Sequence, residues 1–321
     1  MFKILVITPL LHIKDVKNTL ESIGHVDYLD DPLDADVYKI IHEYDAIYTN
    51  PNKSKVYIGK ELLDLAIKLK VIVTASTGTN HIDKVYANKN SISIISLTEE
   101  RHVIEKISST AELAFGLTLS SIRNIVKCHN KALNGEWDYT RYIGRQMNSV
   151  TVGVIGYGRL GKMYAKYCQS FGAKVLVYDP YLKVMEKNIN QVDSITQLMN
   201  MSDVISIHVH VSDETTNMIG KIFFKEMKSE VIIINTARGE VINESDLVEF
   251  LKKNPEAKIA TDVLTDEIRD RKNSPLFKYA LENDNVIITQ HIGGMTREAQ
   301  EIAYGHVATL LKNFFYKAAS K

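Results

Sequence analysis

Along this chain short, nearly continuous apolar runs alternate with stretches of helical periodicity. In residues 1–97 the runs FKILVIT, DAIYTN, KVIVTAS and SISIISL are separated by helical stretches such as residues 59–69. Strands covered by helices on both faces are apolar throughout, so this alternation predicts a parallel sheet. The pattern resumes at residue 152, with runs at 152–155, before Asp179, and at 203–207, 231–234, 258–262 and 286–289. It predicts a second, roughly six-stranded, doubly wound sheet. Between the two sheets, residues 99–133 carry Ile107, Leu113, Phe115, Leu117, Leu119, Ile122 and Val126 at helical spacing, predicting one long helix stopped by Asn134-Gly135. The irregular stretch to residue 148 holds the only tryptophan, Trp137, and reads as an arm that packs on another subunit. Residues 296–321 form an amphipathic pattern through Ile302, Ala303, Val307, Leu310, Leu311 and Phe314. A helix there that returns to the first sheet makes the chain two α/β domains, residues 101–294 being inserted into a domain built from 1–100 and 295–321.

Composition narrows the function classes. At 321 residues two domains can each bury a core. The 39 basic and 39 acidic side chains cancel, and no long basic run supplies a footprint for nucleic acid or an anionic membrane. The opening run MFKILVITPL is too short for a signal peptide core or a membrane span, and reads as a buried first strand. Cys128 and Cys168 have neither CxxC nor metal-ligand spacing. Reduced core thiols in the cytoplasm are expected, and no metal.

Residues 151–181, TVGVIGYGRLGKMYAKYCQSFGAKVLVYDPY, carry the sharpest chemistry. A β-branched run leads into Gly156, Gly158 and Gly161 spaced GxGxxG, then a helical run, a second apolar run and Asp179, 18 residues past Gly161. Gly156 suits the tight turn, Gly158 lets backbone approach a pyrophosphate, and Gly161 lets helix and strand pack closely. The pyrophosphate then sits on a helix N-terminus, where unpaired N–H groups and the helix dipole favour an anion. Asp179 can accept from ribose hydroxyls and repels a 2′-phosphate. Glycine-rich turns alone follow strands in many α/β proteins. The complete strand, glycine, helix, strand and acid unit is far more specific and points to a dinucleotide.

Three polar side chains follow three predicted strands of the same sheet: Arg238 in INTARGE, Glu267 in TDEIRD and His291 in TQHIGG. Open α/β sheets hold ligands at these carboxyl ends. Singly, each has a bland reading, as a surface ion pair, one acid of a run, and a cap. Jointly they suit reduction of a 2-oxo acid. Hydride adds to carbon while histidine donates a proton to oxygen. A carboxylate on the far ring nitrogen fixes the tautomer and stabilises the imidazolium, and arginine holds the substrate carboxylate with a planar fork. In the first domain, the loop STGTNHID (residues 76–83) could offer consecutive amides to a carboxylate, with His81 more structural than catalytic. The lysines of residues 51–55 read as solvated surface.

With STAELAFGLTLS, VGVIGYGRLG, DVISIHVHVSDETTNMIG, INTARGEVINESDLVEFL and DVLTDE beside these motifs, in order, the chain resembles the D-isomer-specific 2-hydroxyacid dehydrogenases nearly end to end. The resemblance implies a Rossmann NAD-binding domain (101–294) inserted into a flavodoxin-like substrate domain (1–100 and 295–321), and a homodimer. It assigns Arg238 to substrate, His291 to acid/base work and Glu267 as its partner, with Gly78 and Thr79 giving amides to the substrate carboxylate. It implies NAD contacts from Thr77, Arg159, Leu160, Asp179, Thr215, Thr236, Ala237, Asp262, Gly293 and Gly294, beside the three motif glycines. Ile268 stands where the family often has proline after the glutamate, and Leu264 replaces a frequent phenylalanine. His210 and Gln290 replace common prolines.

The leading expectation is therefore an NAD-dependent oxidoreductase interconverting a small D-2-hydroxy acid and its 2-oxo acid. The alternatives are a non-catalytic NAD-sensing dimeric binding protein, like the family's corepressors, and a phosphite-type dehydrogenase. Formate is disfavoured, because formate dehydrogenases of the family carry glutamine where Glu267 stands.

Overall fold

The computed structural model describes residues 2–51, 54–268 and 270–319. The chain divides into two compact units, residues 1–107 with 295–321, and residues 108–294. The expected boundary at 101 moves to 108. The helix Arg101–Ile104 stays with the first unit because Glu100 and His102 lie against His306 of the last helix.

The first unit holds a five-stranded parallel sheet of β1 (Phe2–Val6), β2 (Gly24–Tyr28), β3 (Ala46–Thr49), β4 (Val71–Thr74) and β5 (Ser93–Ile95), in the order β2-β1-β3-β4-β5. This is the flavodoxin-like order. The central strands β3 and β4 are buried at every position, as a sheet covered on both faces requires. The helix Arg297–Ala319 packs Ala303, Val307, Leu311 and Phe315 against Ile4, Tyr48 and Val71 of this sheet. The strand β2 was not anticipated. It is an edge strand whose side chains are only half buried, so its apolar run is weak. In the loop of residues 51–55, Lys55 pairs with Asp31 at 3.2 Å. Asn52 and Lys53 lie outside the described residues.

The second unit is a seven-stranded parallel sheet. Its strands are β6 (Thr151–Ile155), β7 (Lys174–Tyr178), β8 (Asn190–Gln191), β9 (Val204–Ile207), β10 (Ile232–Asn235), β11 (Lys258–Thr261) and β12 (Val286–Ile288). Their order is β12-β11-β10-β9-β6-β7-β8, a Rossmann sheet that reverses direction at β6. The additional strand, β8, is two exposed residues at the edge and has no apolar signature.

The single helix expected over residues 99–133 is instead three: Arg101–Ile104, Ser109–Ile122 and Ile125–Leu133. Ser108 starts the second, its hydroxyl donating to Glu112 at 2.5 Å. Asn124, in the left-handed conformation at φ 55°, breaks the path before the third. Both breaks leave apolar spacing intact, and periodicity alone does not reveal them.

Candidate active site

The turn after β6 occupies the point where the strand order reverses. Its three glycines answer to three different constraints. Gly156 sits at φ 88°, and a Cβ there would lie 2.7 Å from the His208 carbonyl oxygen. A Cβ on Gly161 would fall 2.0 Å from the Gly156 carbonyl oxygen, so helix and turn touch only through glycine. At Gly158 a Cβ would meet nothing within 4 Å. Packing does not require that glycine, and it leaves open backbone at the N-terminus of the helix Arg159–Ser170. An anion fits there. The Asp179 carboxylate accepts from the Tyr157 amide at 2.8 Å and from the amides of Tyr181 and Leu182 at 2.9 and 3.0 Å, and so stands beside the glycine turn. Arg159 and Leu160 open the helix, Leu160 packing on the core beneath. Thr215 holds its own loop, its hydroxyl donating to the His210 carbonyl and accepting from the Ser212 amide. These residues fit a bound NAD.

Arg238, Glu267 and His291 follow β10, β11 and β12, which are neighbours in the sheet. The Asn235 side chain shapes the first turn, accepting from the Ala237 amide at 3.0 Å and donating to the Arg238 carbonyl at 2.9 Å. Thr236 is buried at that turn. The Arg238 guanidinium donates to the Ala237 carbonyl, and among the described residues no carboxylate pairs with it. Its bland reading as a surface ion pair thus loses its partner. Gly239 lets the next loop approach, since a Cβ there would lie 2.1 Å from the Leu264 carbonyl carbon.

The Glu267 loop is held at three points. Glu267 Oε2 accepts from the Leu264 amide at 3.1 Å, and buried Glu244 accepts from the Thr265 amide at 2.8 Å and from the Ser274 hydroxyl. These bonds fasten the loop although Ile268 replaces proline. Glu267 Oε1 is hydrogen-bonded to His291 Nδ1, the side chains being 24% and 20% exposed.

His291 has left-handed backbone, φ 54°, a conformation that costs a non-glycine residue on the order of 1 kcal/mol. Asp262, only 1% exposed, holds it there. The Asp262 carbonyl accepts from the His291 amide at 2.9 Å. Its carboxylate accepts from the amides of Ile292 and Gly293, at 2.8 and 2.7 Å, and from the Thr289 hydroxyl. Asp262 is therefore first of all an anchor for the histidine loop, and its oxygens are largely committed inside the protein. Beside Gly293, whose Cβ would crowd Thr110 and Asp262, Gly294 faces open space.

Asn235, Glu244 and Thr289 escaped the sequence reading. Each is a polar residue ending an apolar run or opening a helix, which is the signal that could have marked them.

Thr77, Gly78 and Thr79 belong to the first unit, after β4. The Gly78 carbonyl accepts from Ser76 Oγ at 2.6 Å, and the Thr77 carbonyl from Thr98 Oγ1 at 2.9 Å. Among the described residues no protein acceptor takes the Gly78 or Thr79 amide. His81 is buried, 7% exposed, with both ring nitrogens unpartnered among the described residues. Burial pushes its pKa down to about 4.

A glycine cradle at the reversal point of a Rossmann sheet, with a histidine–carboxylate pair at carboxyl ends of the same sheet, defines a dinucleotide-dependent α/β protein. The model of the D-isomer specific 2-hydroxyacid dehydrogenase NAD binding domain matches residues 115–293, and the chain belongs to that family. It is 35% identical over 315 residues to the D-3-phosphoglycerate dehydrogenase of Methanocaldococcus jannaschii, covering 97% of this chain and 57% of that protein. With the hydroxypyruvate reductase of Thermotoga maritima it shares 31% identity over 293 residues, 89% of this chain and 90% of that one. The crystal structure of D-lactate dehydrogenase from Aquifex aeolicus complexed with NAD and lactic acid is similar at a TM-score of 0.82 and 27% identity, covering 99% of this chain and 96% of that one. The chain spans about half the length of the phosphoglycerate dehydrogenases it matches. No described helix is long and apolar enough to cross a membrane.

Proposed function

We propose that this chain is an NAD-dependent dehydrogenase interconverting a small D-2-hydroxy acid and its 2-oxo acid. The observation that carries the reading is the Glu267–His291 hydrogen bond on two of three adjacent strand ends, with Arg238 on the third. Bound NAD supplies or accepts the hydride. Because His291 Nδ1 faces a carboxylate, Nδ1 carries a proton and Nε2 is the atom that exchanges one with the substrate oxygen. Glu267 steadies the imidazolium that results when Nε2 is protonated. Arg238, with no acid to neutralise it among the described residues, binds the substrate carboxylate and polarises the carbonyl. In the first unit the Gly78 and Thr79 amides, which no protein acceptor takes among the described residues, suit a carboxylate. Asp179 takes the ribose hydroxyls and disfavours a 2′-phosphate. In this reading residues 108–294 are the NAD-binding domain and the remainder is the substrate domain.

Two finer proposals accompany this. A homodimer is supported by Trp137, Tyr139 and Ile143, which stand 92%, 84% and 80% exposed within one short segment. A reducing compartment, the cytoplasm, suits the two free cysteines, one of them with its thiol pushed up to about 12 by burial.

The test is NADH oxidation with glyoxylate, pyruvate, hydroxypyruvate and phosphohydroxypyruvate. At least one should be reduced by the wild type far faster than by His291→Gln. Equal rates for the two proteins with every acid overturn the reading.

A further inference from the structure

We propose that Glu100, His102 and His306 bind a divalent transition-metal ion of the zinc class. All three lie in the first unit. Glu100 immediately precedes the helix Arg101–Ile104, whose Val103 is buried. His306 stands on the helix Arg297–Ala319 beside buried Val307. Two of the three donors thus start from backbone fixed by packing. Glu100 Oε2 and His306 Nε2 are 2.7 Å apart, and the His102 and His306 rings meet edge to face with centroids 5.7 Å apart. One ligand atom from each residue lies within 4.8 Å of the other two.

The donor set selects the ion. One carboxylate with two imidazoles suits Zn²⁺, Co²⁺ or Ni²⁺, whereas Ca²⁺ and Mg²⁺ take oxygen ligands. Around a tetrahedral ion with bonds of about 2.0–2.2 Å, donor atoms stand roughly 3.3 Å apart. The Glu100–His306 contact needs to open by about 0.6 Å, and exposed His102 swings in by side-chain rotation. Three protein ligands leave the fourth position to water. Glu100 and His306 are separated by 206 positions, so no motif spacing marks the site in the sequence. An ion here pins the segment that precedes the second unit to the C-terminal helix, and stabilises the first unit by linkage.

Binding alone tests the site. The chelator-treated full chain is titrated with Zn²⁺ by calorimetry and with Co²⁺ by visible absorption. We expect one ion per chain, ligand-field bands for Co²⁺ and no heat from Mg²⁺. Loss of even an outer-sphere partner weakens metal sites by about 10- to 100-fold, so His102→Ala and His306→Ala should each weaken Zn²⁺ binding by at least about tenfold. NADH binding should be unchanged in both. His102 is exposed, so its variant reads the site without disturbing a core. Absence of stoichiometric Zn²⁺ uptake, or uptake that either variant leaves unchanged, overturns the proposal.

Discussion

Among the described residues each unit contains one histidine–glutamate pair, and in bare chemistry the two are alike. Glu267–His291 is 24% and 20% exposed, and Glu100–His306 is 24% and 23% exposed. The frameworks differ. His306 is one residue of a regular helix, its second neighbour another histidine. His291 sits in strained left-handed backbone at a strand end, held there by a buried aspartate whose oxygens are largely committed, and two strands away Arg238 has no carboxylate partner among the described residues. A pair alone therefore says little about function. Backbone that is held against its preference, beside unneutralised charge, marks the pair built for chemistry.

The largest effect should separate the two histidines directly. His291→Gln removes the proton donor, and kcat/KM for 2-oxo acid reduction should fall by about 10²- to 10⁴-fold. His306→Gln should leave it within about threefold of wild type. Comparable losses in steady-state assays of the two variants would erase the distinction.

A third histidine sharpens the contrast, because it has no carboxylate at all. His81 is buried with both ring nitrogens unpartnered among the described residues and titrates near 4 in the folded chain. In the unfolded chain a histidine titrates near ~6.5, so as pH falls below that value the unfolded state takes up the proton first. The stability that comes from keeping His81 neutral is thus complete above the unfolded pKa, and is lost as pH falls towards the folded value. The loss should reach on the order of 2–3 kcal/mol near pH 4. Urea melts between neutral pH and pH 4 should show this slope, and His81→Leu should flatten it by about one proton. An unchanged slope in that variant would assign the pH dependence to other groups.

The neighbour of each pair supplies the next test. Arg238 follows β10, next to the β11 end that carries Glu267, and His102 lies by His306. Arg238→Ala should lower kcat/KM by well over tenfold without changing the melting temperature, since among the described residues no carboxylate loses a partner. Arg238→Lys should recover only part, as a point charge lacks the fork. Activity of the alanine variant within about threefold of wild type would put Arg238 outside the site.

Much of this contrast was legible before any coordinates. Strands β3, β4, β9 and β10 are buried on both faces, so their continuous apolar runs announce them, β10 with the strand end before Arg238. The apolar runs of β11 and β12 likewise announce the strand ends before Glu267 and His291. Edge strands β2 and β8 bury too little to leave such a run. The helix breaks at Ser108 and Asn124 depend on local polar bonds and a left-handed residue, neither of which disturbs apolar spacing. The anchoring roles of Asp262, Asn235 and Glu244, and the meeting of Glu100 with His306, are set by tertiary contact between distant segments. No short-range pattern encodes those.

The smallest effect asks which carboxylate makes the catalytic pair what it is. Asp266 precedes Glu267, and with Ile268 in place of proline a loop shift by one residue could exchange the two. The geometry favours Glu267, because one of its oxygens is tied to the Leu264 amide while the other meets His291. Asp266, at φ 51°, carries the turn that makes this reach possible. Glu267→Gln keeps the shape and can still accept from Nδ1 through its amide oxygen, but it removes the charge that steadies the imidazolium. A loss of roughly tenfold in kcat/KM is expected, about 1.4 kcal/mol, which is the scale of one charge-assisted hydrogen bond to a partly exposed group. Asp266→Asn should cost less than threefold, since asparagine tolerates left-handed backbone as well as aspartate does. Steady-state rates for the two variants side by side decide the matter. A tenfold loss in the Asp266 variant with none in the Glu267 variant would move the pair by one residue, and no loss in either would leave His291 acting without a carboxylate, as His81 is buried without one.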